Sequence, residues 1–350
     1  MSGGLNSDGD GFGHGTLVAG IATGGAEVYS GVAPRAKLVS LDVLNDLGVG
    51  SMSDVIAACD WILQNKAQYN IRVANFSINA GAGASILFDP LDRAVERLWL
   101  NGVVVVASAG NYGNIASGVL FSPANDPFVI TVGASDVNGD GDGDKYNDFA
   151  APWSSSGYTY DGFFKPELAA PGRQITSSVP AASTLATLFP SRKAASNYMW
   201  MSGTSFAAPL VSGTAAWMLA RNPSWTPDQV KGALMLDADE PDGYDAPGAL
   251  GVGVLDSDGD PGTGNPPNPN AALNQFVVID PTTGQKVFDS ASWASAAAAN
   301  ASWASASWSS ASWANASWSS ASWSSASWAD ASWADASWAN HVLANTLSVE

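Results

Sequence analysis

Met201-Ser-Gly-Thr-Ser-Phe-Ala-Ala-Pro209 is the stretch on which the reading of this chain turns. It is a Gly-Thr-Ser-x-Ala-x-Pro run that opens an apolar segment of helical character. A serine at a helix start is common as a cap, its hydroxyl accepting from a backbone N–H of the first turn. Three features of the run say more than that about Ser205. Gly203 lets the backbone turn tightly just before it, small residues after it permit close packing, and Pro209 lies inside the apolar run. A proline there leaves one carbonyl of the preceding turn without its donor and bends the helix. The expected result is one hydroxyl presented at the mouth of a buried helix, which suits a nucleophile.

A base for such a nucleophile is sought among two histidines. Gly13-His-Gly-Thr-Leu-Val-Ala-Gly20 places His14 between glycines at the start of an apolar helix. The positive end of a helix disfavours the imidazolium, which helps keep the ring neutral and able to take a proton. An exposed loop histidine is the plainer alternative. His341 lies in a low-complexity tail without catalytic company.

Between these stretches, strand-like and helix-like segments alternate. Strands are expected at 36–44, 72–78, 103–107 and 128–132, and helices at 53–68 and 91–100. Short apolar runs separated by helices imply an α/β fold: a doubly wound, mostly parallel sheet with helices on both faces. Sites in such sheets lie beyond the carboxyl ends of the strands. The valine strand at 103–106 runs directly into Ala107-Ser-Ala-Gly-Asn111. Read alone, Asn111 is a turn residue after Gly110. Delivered to a site, its amide can donate to a developing oxyanion, an interaction worth roughly 3–4 kcal/mol.

Composition narrows the partners. The chain has 350 residues, 46% of them hydrophobic, enough for a large core. Fourteen basic residues stand against 32 acidic ones, a net charge of -18, so nucleic acid is excluded as a partner for want of phosphate-neutralising charge. An acidic surface with few lysines is expected of a secreted or salt-tolerant protein. The single cysteine, Cys59, excludes an internal disulfide and reads as a buried, inert thiol beside Trp61. No run is apolar and long enough to span a membrane, and no signal peptide is visible at the start.

Taken together and in order, His-Gly-Thr-x-Val-Ala-Gly, Ala-x-Ala-Gly-Asn and Gly-Thr-Ser-x-Ala-x-Pro resemble the subtilisin-like serine peptidases, the subtilases. Lys165-Pro-Glu-Leu-Ala-Ala-Pro-Gly172 is similar to the family's loop before the nucleophile helix, and Phe121-Ser-Pro-Ala and Val129-Ile-Thr-Val-Gly-Ala134 fit as well. The resemblance runs from about residue 10 to about residue 275, giving a peptidase domain at 1–275 that lacks its first strand. It implies Ser205 as nucleophile, His14 as general base and acid, and Asn111 as oxyanion donor beside the Ser205 N–H, with acyl transfer through an acyl-enzyme. Protein or peptide substrates and an extracellular or cell-surface location follow from the same resemblance.

The family's triad aspartate, carried in an Asp-Ser/Thr-Gly context a few tens of residues before the histidine, has no counterpart. Asp8 and Asp10 precede His14 too closely to arrive from another strand. In a subtilisin, a relative, losing that residue alone lowers kcat by roughly 3 × 10⁴. In the family its strand lies inside the sheet, so a gap between two strands is expected here, and Met1 is expected to mark a shortened chain or a misplaced start. The family's substrate-pairing strand matches Ser77-Ile-Asn-Ala80, with Ser77, Ile78 and Asn79 as candidate binding residues. Asn79 and Ala80 stand where the family has glycines, adding side chains where backbone approaches backbone. Peptide binding by strand addition remains the expected mode.

Asp136-Val-Asn-Gly-Asp-Gly-Asp-Gly-Asp144 offers Asp136, Asn138, Asp140, Asp142 and Asp144 as calcium ligands at alternate positions. The alternative is an acidic surface turn; the Glu expected at position twelve is missing. Asn6-Ser-Asp-Gly-Asp10 and Asp256-Ser-Asp-Gly-Asp260 are shorter versions. Structural calcium is the cofactor expectation, and none is required for the chemistry. Residues 276–290 read as a linker. Residues 291–340 form a tail repeating Ala-Ser-Trp-x-x with period five, and 341–350 form the C-terminal end. The tail reads either as low-complexity chain or as part of a β-solenoid, its tryptophans suited to a glycan, a protein or a cell surface. Two functions follow: a serine endopeptidase, or a catalytically impaired subtilase-fold protein that binds or anchors through this tail.

Overall fold

A computed structural model of the chain describes residues 9–113, 118–137, 147–244, 248–256, 265–299 and 341–344. In chain order the first half carries α1 (His14–Thr23), β1 (Val49–Ser51), α2 (Met52–Tyr69), β2 (Val73–Phe76), β3 (Ile78–Ala80), α3 (Pro90–Leu100), β4 (Val104–Ser108) and β5 (Ile130–Asp136). There follow β6 (Phe149–Ala150), β7 (Gly157–Tyr158), β8 (Phe164–Lys165), β9 (Leu168–Pro171), β10 (Ile175–Ser178), α4 (Thr184–Leu188), β11 (Lys193–Ala195), β12 (Tyr198–Met201), α5 (Thr204–Arg221) and α6 (Pro227–Leu236). The last elements are α7 (Ala271–Asn274), β13 (Val277–Ile279), β14 (Lys286–Phe288), α8 (Ser290–Ala299) and β15 (His341–Ala344).

The central sheet runs β2-β4-β5-β6, with β9 on β5. The β2/β4, β4/β5 and β5/β9 pairings are parallel, in registers such as Phe76↔Ala107, Val106↔Ile130 and Val132↔Leu168, and only the two-residue β6 is antiparallel. Every residue of β4 and β5 is buried, as expected of strands covered on both faces. Apolar all round, α5 packs against α1 and against β2, β4, β5 and β9, so it is a core helix rather than a half-exposed one. Capping is local: Asp89 accepts from Leu91 N–H and Asp92 N–H at the head of α3, and Thr226 with Gln229 makes a reciprocal box at the head of α6.

The fold class stands as expected, and three sequence expectations change. The segment 36–44 is not a buried strand: apart from an isolated bridge between Leu44 and Gly50 it has no strand pairing, and Leu38 and Val39 are 57% and 38% exposed. Its β-type residues lack a partner strand, because β2 is the last strand on its side of the sheet among the described residues. The strand expected at 128–132 begins later and runs to Asp136. Residues 276–290 are not a linker but a β13/β14 hairpin leading into α8, with Phe128 and Phe288 rings 5.0 Å apart. Trp293, the first tryptophan of the period-five series, is buried and stacks on Phe163 at 5.3 Å. Apolar side chains at 288 and 293 gain more from the core than from solvent. Tail residues 300–340 lie outside the described residues.

Candidate active site

Two strand ends and one helix start meet at the site. At the end of β2, Ser77 interrupts the strand predicted at 72–78 and separates β2 from β3. Beyond β4, Gly110 adopts φ 103°, a left-handed conformation that frees the chain to turn and deliver Asn111. Gly203 precedes α5 with φ 152° and ψ 154°, a region open essentially to glycine. Its N–H donates to Gly172 O at 2.9 Å, tying the head of α5 to the end of β9.

Pro209 has the consequence read from the sequence. With no N–H at 209, the carbonyl of Ser205 loses its helical donor. Ser77 Oγ supplies the replacement, donating to Ser205 O at 2.8 Å, while Ser205 Oγ donates to Ser77 O at 3.2 Å. Behind this pair, Asn75 Nδ2 donates to Ser77 Oγ and Ser212 Oγ donates to Asn75 Oδ1, each at 2.9 Å. The nucleophile candidate is therefore locked to β2 and β3 by a buried polar chain.

Asn111 is held by its oxygen. Its Oδ1 accepts from Thr204 N–H at 2.9 Å and from Thr204 Oγ1 at 3.0 Å, and Thr204 Oγ1 accepts from Gly110 N–H at 3.1 Å. A backbone donor facing Oδ1 fixes which amide atom is which. Nδ2, buried and without a hydrogen-bond partner among the described residues, is left as a donor. Beside it, the Ser205 N–H lies in the first turn of α5, where no intrahelical acceptor exists.

His14 opens α1 and is buried, its ring 5.5 Å from that of Phe206, the residue after Ser205. Nε2 has no hydrogen-bond partner among the described residues, so the candidate base is not hydrogen-bonded to the candidate nucleophile. Burial pushes the imidazole down to about 4, partly opposed by the Asp10 carboxylate. Asp10 itself is committed to the helix start, accepting from Gly13 N–H and Thr16 N–H, both at 2.7 Å, and from Thr16 Oγ1 at 2.9 Å.

Of the peptide-binding candidates, Ile78 and Asn79 lie on β3. The Asn79 amide donates to Ala80 O at 2.8 Å and to Tyr112 OH at 3.0 Å. This side chain, expected to obstruct close backbone approach, is folded into the site wall and leaves β3 able to pair. Sequence reasoning missed Thr204, which aims Asn111, and Tyr112, which holds Asn79. Thr204 was legible only as a member of the Gly-Thr-Ser run.

Of the five calcium candidates, Asp136 alone is among the described residues. Asp136 accepts a 2.5 Å ion-pair hydrogen bond from Arg173, so the first proposed ligand is already engaged. Asn138, Asp140, Asp142 and Asp144 lie outside the described residues, as do Asp8 and residues 257–260. No cluster of three or more potential metal-binding side chains occurs among those described.

Comparison with known proteins bears on the same region. A family model described as "Subtilase family" matches residues 2–253. Serine protease AprX of Bacillus subtilis (strain 168) is 38% identical over 259 residues, 71% of this chain and 58% of that protein. Subtilisin DY of Bacillus licheniformis is 33% identical over 65% of this chain and 71% of its own length. The extracellular serine proteinase of Thermus sp. (strain Rt41A) is 39% identical over 65% of this chain and 46% of that protein. A crystal structure of a cold adapted subtilisin-like serine proteinase superposes with TM-score 0.55 at 31% identity, covering 71% of this chain and 76% of the other. The chain thus spans between about half and about 70% of the length of these curated relatives.

Proposed function

The chain belongs to the subtilase family, and from that membership we propose that it is a serine endopeptidase with Ser205 as nucleophile and His14 as general base. The observation that carries the proposal is the state of Asn111. Its carbonyl is locked by Thr204 while Nδ2 stays unpaired beside the first turn of α5, the arrangement an oxyanion needs.

In the reaction Ser205 Oγ gives up its hydrogen bond to Ser77 O and attacks the carbonyl carbon of a peptide bond. The hydroxyl proton passes to Nε2 of His14, which burial keeps neutral near pH 7. Charge gathers on the former carbonyl oxygen, which accepts from Asn111 Nδ2 and the Ser205 N–H. Collapse breaks the C–N bond, His14 returns the proton to the leaving amine, and water repeats the sequence in reverse on the acyl-enzyme. The imidazolium is the weak point, because among the described residues no carboxylate hydrogen-bonds to His14. No step calls for a metal ion.

Protein or peptide substrates follow from the reaction, and a location outside the cell or at its surface is supported by the extracellular relative and the acidic surface. Among the described residues no helix is long and apolar enough to cross a membrane. The tryptophan series beyond Trp293 is assigned to binding a glycan, a protein or a surface.

The test is intact mass after treatment with a fluorophosphonate, beside Ser205→Ala and Asn111→Ala. One adduct, lost in Ser205→Ala and formed roughly 10²–10³-fold more slowly in Asn111→Ala, is expected; that factor is known for an oxyanion asparagine in a subtilisin, a relative. No adduct on folded chain would refute the proposal and leave the tail as the working part.

A further inference from the structure

One segment near the C-terminus is not where the sequence placed it. His341-Val-Leu-Ala344 follows the tryptophan repeat and breaks its pattern. Its backbone forms β15, which lies antiparallel between β1 and β3. Val342 is opposite both Gly50 and Ala80, and Leu343 is opposite both Val49 and Asn79. β3 holds Ile78 and Asn79, and the strand's C-terminal residue, Ala344, pairs with Ile78. Ile78 adjoins Ser77, whose carbonyl accepts from Ser205 Oγ. The strand therefore fills the slot between two edges and ends beside the nucleophile.

We propose that residues 341–344 are a tethered, substrate-like occupant of the peptide-binding slot, and that the chain inhibits itself until this strand leaves. The proposal rests on the peptidase reading above. A substrate bound by strand addition to β3 needs its free edge, and β15 occupies that edge while also pairing with β1. All of β3 is buried, and Ser205 has no exposed surface, so no substrate carbonyl reaches Oγ without displacing a covering segment. The sequence suits the role: Val and Leu favour an extended strand, and no proline removes a ladder donor.

Tethering gives so short a strand its hold. The strand belongs to the same chain as the slot, so its binding is intramolecular and is governed by an effective concentration rather than by the protein concentration. Where that effective concentration exceeds the strand's own dissociation constant by about tenfold, the slot is occupied roughly ten times as often as not. Release of the strand is expected to raise kcat/KM for a peptide by about tenfold, mostly through KM.

Two measurements on the full chain test this. Val49→Cys/Leu343→Cys places thiols at directly opposed positions, within disulfide reach, whereas Val49→Cys/His341→Cys places them two residues out of register. A disulfide in the first pair and not the second, scored by mass under mild oxidation, is expected; its absence from the first overturns the strand placement. Next, Val342→Pro/Leu343→Pro removes the strand's N–H donors toward both neighbours. A tenfold gain in hydrolysis of a fluorogenic peptide, with fluorophosphonate labelling still confined to Ser205 and faster than in the parent chain, supports inhibition by the strand. An unchanged kcat/KM overturns it. Should no variant label at Ser205, the peptidase reading falls, while the disulfide still decides whether β15 fills the slot.

Discussion

The burial of His14 makes a quantitative demand on pH dependence. Desolvation brings its imidazole from 6.5 down to about 4, against a smaller upward pull from Asp10. If neutral His14 accepts the Ser205 proton, fluorophosphonate labelling should rise with pH around a midpoint near 4 and be level by about pH 6. The same shift acts on stability. Between pH 4 and 6.5 the unfolded chain holds a proton on His14 that the folded chain has released, so stability rises with pH across that window. The full effect is about 3 kcal/mol. Buried carboxylates act in the opposite sense. Desolvation lifts Asp92 and Glu96 well above the carboxylate range and Asp126 to about 7. Each holds a proton when folded that it loses when unfolded, so its contribution falls as pH rises. A wild-type curve alone mixes the two, and His14→Gln separates them. Urea titrations of both proteins should show the wild type gaining about 3 kcal/mol on the variant between pH 4 and pH 7. A labelling midpoint near 6.5 together with a pH-independent difference would refute the reasoning.

Ser77→Ala should cost about 1–3 kcal/mol by orphaning the Ser205 carbonyl. Adding Pro209→Ala returns an N–H to that carbonyl, so a urea double-mutant cycle should show the pair less destabilised than the singles together; strict additivity would count against the bond exchange. Glu167 accepts from Lys165 at 2.7 Å and from Lys231 at 2.8 Å, all three buried. Glu167→Gln should therefore cost about 3–5 kcal/mol by urea denaturation, and a loss below about 1 kcal/mol would show the cations relieved elsewhere. Trp293→Ala should cost about 3–5 kcal/mol, whereas no change in melting temperature would return residues 290–299 to the tail.

Sequence reading succeeded where one residue type has few uses. A glycine before a serine and a proline four residues after it leave little choice of geometry, and the valine run at 103–106 can be buried only as a central strand. It failed where the outcome depends on a partner far along the chain. Nothing local in residues 36–44 says that no strand among the described residues pairs with them. Nothing in Phe288 or Trp293 says that a hairpin and a helix will lay them on the core rather than leave them in a repeat. Thr204 and Tyr112 were missed for a related reason: their hydroxyls act by orienting Asn111 and Asn79, and orientation is written in three dimensions only. The pairing of β15 with β1 and β3 is the extreme case, joining positions nearly three hundred residues apart.

The proton affinity of His14, the proposed base, is set by its surroundings rather than by a hydrogen-bonded partner among the described residues. A buried imidazole can accept a proton usefully only if something stabilises the imidazolium as it forms. Asp10 is close enough to oppose desolvation, yet its oxygens are taken by Gly13 and Thr16, so it acts through space rather than by a hydrogen bond. By family resemblance, the carboxylate that would do better arrives on a strand lying inside the sheet. On the sheet as described, the outer edge of β2 is open and 36–44 carries strand-type residues without a strand partner. The proposed oxyanion donor and nucleophile are positioned independently of His14, by Thr204 and by Ser77 with Pro209. The proposed site therefore divides into Asn111 and Ser205, each fixed by hydrogen bonds, and His14, whose proton affinity is set by burial against a smaller opposing pull from Asp10.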